Sequence, residues 1–369
     1  MTDWAASGRR DTYSFSLADP FTLADVATLD AVPSSCSITY GYYTENWSTA
    51  SIQEVNSDFR IQGRDMLVRV RHHIECDGET VDEELGTFFV DSPPRRSKSG
   101  MVTRNLKCYS TLWRLSQDSL ADDMAGAKGA NVIQAIGRLI TYAGGQYVVD
   151  YDAPTARTFG AHIGFPIGSN RLETINTIAG WIGCVVEVDG HGRQVIRKYV
   201  EPGLRPSVYT FEDGANCVYE GGIDWSSTRS DAINRAIMFF TRESKPSDED
   251  PSIPLSARAV ADLPDTESFS YERAGRRRTE VITVSDYCTQ AELDARAKRY
   301  VWENGADQTS IEINHPSIPG VTIGSVVDYR NSVDDTEPLS FRCMIVEQNI
   351  SSLGPGCMTS SKLKILRWY

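Results

Sequence analysis

The chain has 369 residues, 40% of them hydrophobic and 24% charged, and that length predicts two or three cores rather than one. Its formal net charge of −13 weighs against tight duplex binding, which gains affinity by replacing counterions with Lys and Arg. Met1 to Asp11 is polar and no apolar run approaches the roughly 20 residues a membrane span needs, so a chain made soluble in a cytoplasm, without stable membrane insertion, is expected.

Sixteen tyrosines and abundant Thr and Val lean the chain towards β structure. From the start to about residue 118 the pattern has period two, with Met66, Val68 and Val70 set against Leu67, Arg69 and Arg71, which predicts strands of a sheet with one wet face. Asp77-Gly78 supplies a hairpin turn. The segment Pro93-Pro94-Arg95-Arg96-Ser97-Lys98-Ser99-Gly100 reads as a hairpin loop or an exposed arm that holds no ladder.

The period then changes. Val132, Ile133, Ile136, Leu139, Ile140 and Ala143 recur at helical spacing up to Gly144-Gly145. A second helix starts at Asn170, a residue that can cap first-turn amides, and buries Leu172, Ile175, Ile178 and Ile182 before Gly183. Cys184 to Val188, a turn at Asp189-Gly190-His191-Gly192 and Val195 to Val200 follow as a hairpin. Beyond 206 strands return: Ala232 to Thr241, then a polar loop over 243–265 with four prolines, then a helix over 290–303 announced by the capping box Thr289/Glu292. Ser310 to Asn314, Val321 to Tyr329, Phe341 to Ile350 and Lys362 to Trp368 read as the last strands.

The eight cysteines show no CxxC pair and no short paired spacing, which argues against zinc ribbons and a disulfide framework. Cys108 and Cys184 are read as buried thiols acting as small hydrophobes. His72-His73 with Glu75 and Cys76 is the best metal suspect, yet adjacent strand residues face opposite ways, leaving two donors at most where zinc wants four. There is no Gly-x-Ser-x-Gly and no Walker-type loop; Gly126-Ala127-Lys128-Gly129 lacks the spacing and the hydroxyl. Glu83-Glu84 and Asp122-Asp123 read as solvated loop charges. Arg276-Arg277-Arg278 reads as a wet loop, or as a grip on an acidic partner or a neighbouring subunit. Trp113 and Trp181 read as core, and Trp368-Tyr369 at the end is predicted to dock. No catalytic, cofactor-binding or metal-ligating residue is assigned.

The order of these elements resembles the central hub proteins of tailed phages and related contractile injection machines. Gly86-Thr87-Phe88-Phe89-Val90 and Leu106-Lys107-Cys108-Tyr109-Ser110-Thr111-Leu112-Trp113 are similar to the family's strand and its turn rich in tryptophan or leucine. Gly168-Ser169-Asn170-Arg171-Leu172-Glu173 through Gly183, with Asp189-Gly190 to Ile196, resembles its second helix and acidic-Gly hairpin. Gln290 to Glu303, His315-Pro316 and Gly324-Ser325-Val326-Val327 match its late helix and closing strand; Ser325 departs from the acidic residue more usual there. Many relatives continue into a peptidase, lysozyme or receptor-binding region, whereas this sequence stops at Tyr369.

What the resemblance implies is an α+β, predominantly β fold. It has two β-barrel-like hub domains, 1–118 and 206–369, with a helix-strand-helix-hairpin domain over 119–205 between them. It also implies a non-enzymatic tail or baseplate hub, a homotrimer whose six barrels match a sixfold tube and leave a channel for DNA. The partners implied are the tail tube or distal tail protein, a tip, spike or fibre protein and the tape-measure protein. The place implied is the distal end of the virion tail, after synthesis in the bacterial host cytoplasm. No sequence-specific nucleic-acid binding and no cofactor are implied. A tail-associated peptidoglycan hydrolase and a carbohydrate-binding tail-tip adhesin are the rival readings.

Overall fold

The computed structural model describes residues 4, 8–42, 44, 47–55, 66–91, 95–98, 101–122, 124–160, 162–212, 219, 224–227, 232–241, 252–267, 269–284, 288–305, 309–331 and 339–368. The fold is predominantly β, with five α-helices among the described residues: α1 (Leu112–Ser116), α2 (Val132–Tyr142), α3 (Arg171–Trp181), α4 (Tyr271–Ala274) and α5 (Gln290–Gly305).

In the N-terminal part, Arg10–Ala18, Leu67–Cys76, Glu79–Val90, Met101–Ser110 and Ser48–Val55 pair antiparallel in that order. The stretch 25–32 joins the two ends of this series. Asp25–Thr28 pairs with Arg10–Ala18, the Leu29 amide donates to Phe15 O, and Ala31 bridges Glu54 while the Val32 amide donates to Gln53 O. The sheet thus closes into a barrel around Phe15, Leu17, Ile38, Ile52, Val68, Val70, Phe88 and Leu106. Asp77 (φ 50°) and Gly78 (φ 80°) make the two-residue turn the Asp-Gly pair predicts, since a type I′ hairpin needs both central residues left-handed.

Two expectations fail in this part. Leu67–Cys76 lacks a wet face over its first four residues: Leu67 is fully buried in a cluster with Ala18 and Phe89, and Arg69 is 5% exposed, reaching the middle unit's hairpin at His191 O. The segment 93–100 does hold a ladder, with Arg95–Lys98 paired to Arg104 through Met101. The prolines precede the paired residues, so the amides of 95–98 remain available as donors.

A second sheet runs in the order Asp224–Ser227, Thr309–Pro316, Met358–Trp368, Leu339–Ser351, Val326–Asn331 and Tyr209–Glu212, the last pair parallel. One face of it wraps a single cluster that includes Phe211, Ile311, Ile313, Val327, Tyr329, Phe341, Ile345, Leu363 and Ile365. The two sheets are continuous through the 13-residue strand Leu339–Ser351. Its first half pairs with Val326–Asn331 and its second half with Ser37–Gly41, which in turn pairs with Ser48–Val55. Register shifts at Arg342/Cys343 and Ile345/Glu347 mark where that strand bends between them.

The middle unit packs α2 and α3 on a small sheet of Tyr147–Val149, Gln194–Lys198 and Cys184–Val188. Asn131 and Asn170 cap the two helices, accepting from the Gln134 and Glu173 amides. Leu112 and Leu115 of α1 join this core. Cys108 and Cys184 are buried as expected; Trp113 and Trp181 are half-buried, packed on neighbouring aromatics.

Residues 232–305 leave and re-enter the second sheet between Asp224–Ser227 and Thr309–Pro316, which pair with each other. Within this insert Arg235–Thr241 is the centre of a three-stranded sheet, antiparallel to Ser256–Asp262 and parallel to Thr279–Thr283. Leu293, Ala297 and Val301 of α5 cover one face, and the Thr289/Glu292 capping box forms in both directions. The predicted loop 243–265 is therefore wrong over Ser256–Asp262. There the alternating buried side chains are Ala257, Ala259 and Ala261, too small to stand out among prolines as a hydrophobic period. Residues 242–251 lie outside the described residues.

Candidate functional site

The three sheet-bearing parts meet at a cavity of about 350 Å³. It is lined from the first barrel by Tyr40 and Glu83 to Thr87, from the middle unit by Glu187 to Gly190 and Arg197, and from the second sheet by His315, Ser317, Ile318 and Val321 to Ile323. Each wall is held by polar side chains reaching across a boundary. Glu83 accepts from the Gly320 amide at 2.7 Å. Glu84, the next residue and so on the other face of the strand, pairs with His191 Nδ1 at 2.5 Å and with Arg71 Nε at 3.4 Å. Thr87 Oγ1 donates to Gly190 O at 2.8 Å, and Thr111 Oγ1 to Gly192 O at 2.9 Å.

Arg69 organises this joint. Its guanidinium donates to Thr87 Oγ1 (3.1 Å), Asp25 Oδ1 (2.8 Å) and Leu23 O (2.7 Å), while Arg71 Nη2 donates to the other Asp25 oxygen at 2.6 Å. Burial alone would raise the Asp25 carboxyl. The hydrogen bond from Arg71 and the charges of Arg69 and Arg71 outweigh it and hold Asp25 below the usual carboxylate range. Glu83 and Glu187 go the other way. Burial pushes both up, opposed at Glu83 by the Gly320 amide and at Glu187 by the Arg197 guanidinium, 3.0 Å away.

His315 is fully buried, and that burial lowers it to about 4. The ring is neutral at pH 7. Its Nδ1 donates to Pro316 O (2.7 Å), which leaves Nε2 to accept from the Ser361 hydroxyl (2.8 Å). Gln348 Nε2 completes the network, donating to Val321 O at 3.1 Å and Ser361 Oγ at 3.3 Å. What this arrangement does chemically is weld: its carboxylates and hydroxyls are engaged across unit boundaries.

The residues singled out in the sequence are scattered. His72 is buried, stacked on Tyr13 with ring centroids 4.3 Å apart, and its Nε2 lies 2.7 Å from Asp11, which also takes the Arg9 guanidinium. His73 points the opposite way, to Asp82 (2.6 Å) and Glu75 (3.4 Å) at the surface. Among the described residues no group of three or more His, Cys, Asp or Glu could hold a metal ion. Glu83 and Glu84 are strand residues tying units together rather than solvated loop charges, a correction that rests on contacts more than 100 residues away in sequence. Asp122 is exposed and Asp123 lies outside the described residues. The backbone of Trp368 pairs with Phe341; its side chain and Tyr369 lie outside the described residues. Arg276 and Arg278 line a separate cavity in the insert. Sequence reasoning missed Arg69, His191 and the close approach of Gly190, whose only local sign was a second glycine in a four-residue turn.

No family profile and no curated protein matches this chain. Solved structures do. A tail protein from Neisseria meningitidis superposes with a TM-score of 0.60 at 15% identity, covering 95% of this chain and 96% of that one. The 43 kDa tail protein of prophage MuSo2 from Shewanella oneidensis gives 0.60 at 12% identity, over 95% of this chain and 97% of that one. A chain of the half-lidded Francisella PdpA-VgrG complex gives 0.58 at 8% identity; the match covers 97% of this chain and 58% of that one. Over nearly its whole length, then, this chain has the fold of phage tail proteins.

Proposed function

We propose that the chain is a structural, non-enzymatic hub subunit of a phage-type tail. Three copies form a pseudo-sixfold ring, join the tail tube or distal tail ring to a tip, spike or fibre protein, contact the tape-measure protein, and leave a channel for DNA. The observation that carries this reading is the edge-to-edge fusion of two sheet-rich modules through Leu339–Ser351 and Ser37–Gly41, within a fold shared with tail proteins. Two such modules per chain present six related surfaces when three chains assemble, which is what a hexagonal tube end requires. In this reading 1–118 and 206–369 are the ring-forming domains and 119–205 braces them. The subunit is made in the host cytoplasm and ends at the distal tip of the virion tail.

The test is the mass of the purified chain by light scattering, together with antibody labelling of particles. A trimer, and label confined to the distal end of the tail, is the expected outcome. A monomer at every concentration, or label along the shaft or on the capsid, overturns it. Zymography on host cell walls separates the hydrolase alternative, for which a clearing zone lost on mutation of one carboxylate is required.

A further inference from the structure

The insert carries a basic pocket. Within residues 270–278, Ser-Tyr-Glu-Arg-Ala-Gly-Arg-Arg-Arg, four arginines stand against one glutamate in a chain whose net charge is −13. The backbone decides where they point. Helix α4 ends at Gly275, whose φ of 66° reverses the chain, and the Gly275 amide donates to Tyr271 O at 2.9 Å. The buried Asn234 side chain then pins the returning strand at two points, donating to Arg276 O (2.7 Å) and accepting from the Arg278 amide (2.8 Å). Pinned in this way just before the strand Thr279–Thr283, the three arginines do not share one direction. Arg277 lies over the Tyr271 ring, 4.5 Å from its centroid. Arg276 and Arg278 instead line, with Arg273, a cavity of about 400 Å³ floored by Ala232 and Phe269.

We infer that this pocket binds an acidic protein segment, seating carboxylate side chains between Arg273, Arg276 and Arg278. The volume lies within the range of about 300–1,000 Å³ typical of ligand pockets, and guanidinium groups grip carboxylates through paired N–H donors. Concavity and smallness favour a peptide over a duplex, whose affinity comes from many phosphates met along an extended surface. The acidity of the rest of the molecule steers an acidic partner away from other faces and towards this one. The inference does not depend on the trimeric reading above.

The experiment is fluorescence anisotropy on the full chain with a labelled oligoglutamate peptide and, separately, a labelled DNA duplex. Both are run at about 0.01 M and about 0.15 M salt, between which the screening length falls from about 30 Å to about 8 Å. Peptide binding at low salt that weakens at high salt is expected. The double variant Arg276→Gln/Arg278→Gln is expected to lose roughly tenfold or more in affinity, while Arg277→Gln retains it, because Arg277 faces away from the pocket. Circular dichroism melts of both variants confirm that the fold is kept, and Arg273→Gln provides a third probe on a different element. The proposal is overturned by absence of salt-sensitive peptide binding, by equal loss from Arg277→Gln, or by tighter binding of the duplex with the same arginine dependence.

Discussion

At position 190 a Cβ would stand 2.2 Å from the Glu84 carbonyl oxygen, a contact no side chain can make without moving the hairpin off the barrel. Gly190→Ala is therefore expected to cost about 1–3 kcal/mol in denaturant unfolding, although the residue lies in a turn where such changes are usually mild. Two groups in the same joint, buried His315 and half-buried Glu83, give opposite pH signatures. His315 has a folded value of about 4, below its ordinary 6.5, so its contribution to stability is complete above pH 6.5 and is lost as pH falls towards 4. That loss amounts to about 3 kcal/mol at most. It disappears from the pH profile of His315→Phe. Glu83 is raised above its ordinary 4.5, so its contribution is complete below pH 4.5 and is lost as pH rises through the elevated value. Glu83→Gln keeps an oxygen for the Gly320 amide while removing the charge. The variant is expected to match or exceed the parent in stability at neutral pH, with a flatter profile above pH 4.5; a loss at neutral pH would mean that the charge itself holds the joint.

At the scale of elements, what could be read from sequence depended on whether the signal was local. Helices α2, α3 and α5 were legible because the apolar spacing of α2 and the caps of α3 and α5 are local signals, and the structure places Asn170 and Thr289 at the starts of the last two. Thr289→Ala removes the hydroxyl that accepts from the Glu292 amide, leaving the backbone half of the α5 capping box, and is expected to cost about 1 kcal/mol by thermal melting. The strand Ser256–Asp262 was not legible, since an alternation carried by alanines has little hydrophobic contrast. Nor was the burial of Arg69, whose guanidinium reaches a hairpin more than 100 residues later in the chain. Of the joint at the cavity, sequence supplied the turn at Asp189-Gly190-His191-Gly192 but not its partner. Thr87, Glu84 and Arg69 come from strands that, taken alone, predict an ordinary exposed face.

For the molecule as a whole, Leu339–Ser351 contributes to both large cores, with Phe341, Cys343 and Ile345 in one and Ile350 in the other. Two sheets sharing a strand cannot melt independently without breaking that strand's ladder. Ile38→Ala in the first core and Leu363→Ala in the second are each expected to cost about 2–5 kcal/mol and to shift one common unfolding transition. Separate transitions, each moved by only one of the two substitutions, would show that the sheets behave as independent bodies despite their continuity.

The insert enters and leaves through neighbouring strands, Asp224–Ser227 and Thr309–Pro316, already zipped to each other. A passage whose doors stand side by side can be refurnished without touching the walls. Exchange of 232–305 for another small cassette, or grafting of a reporter there, would change that one compartment while the frame goes on being built from the same two sheets.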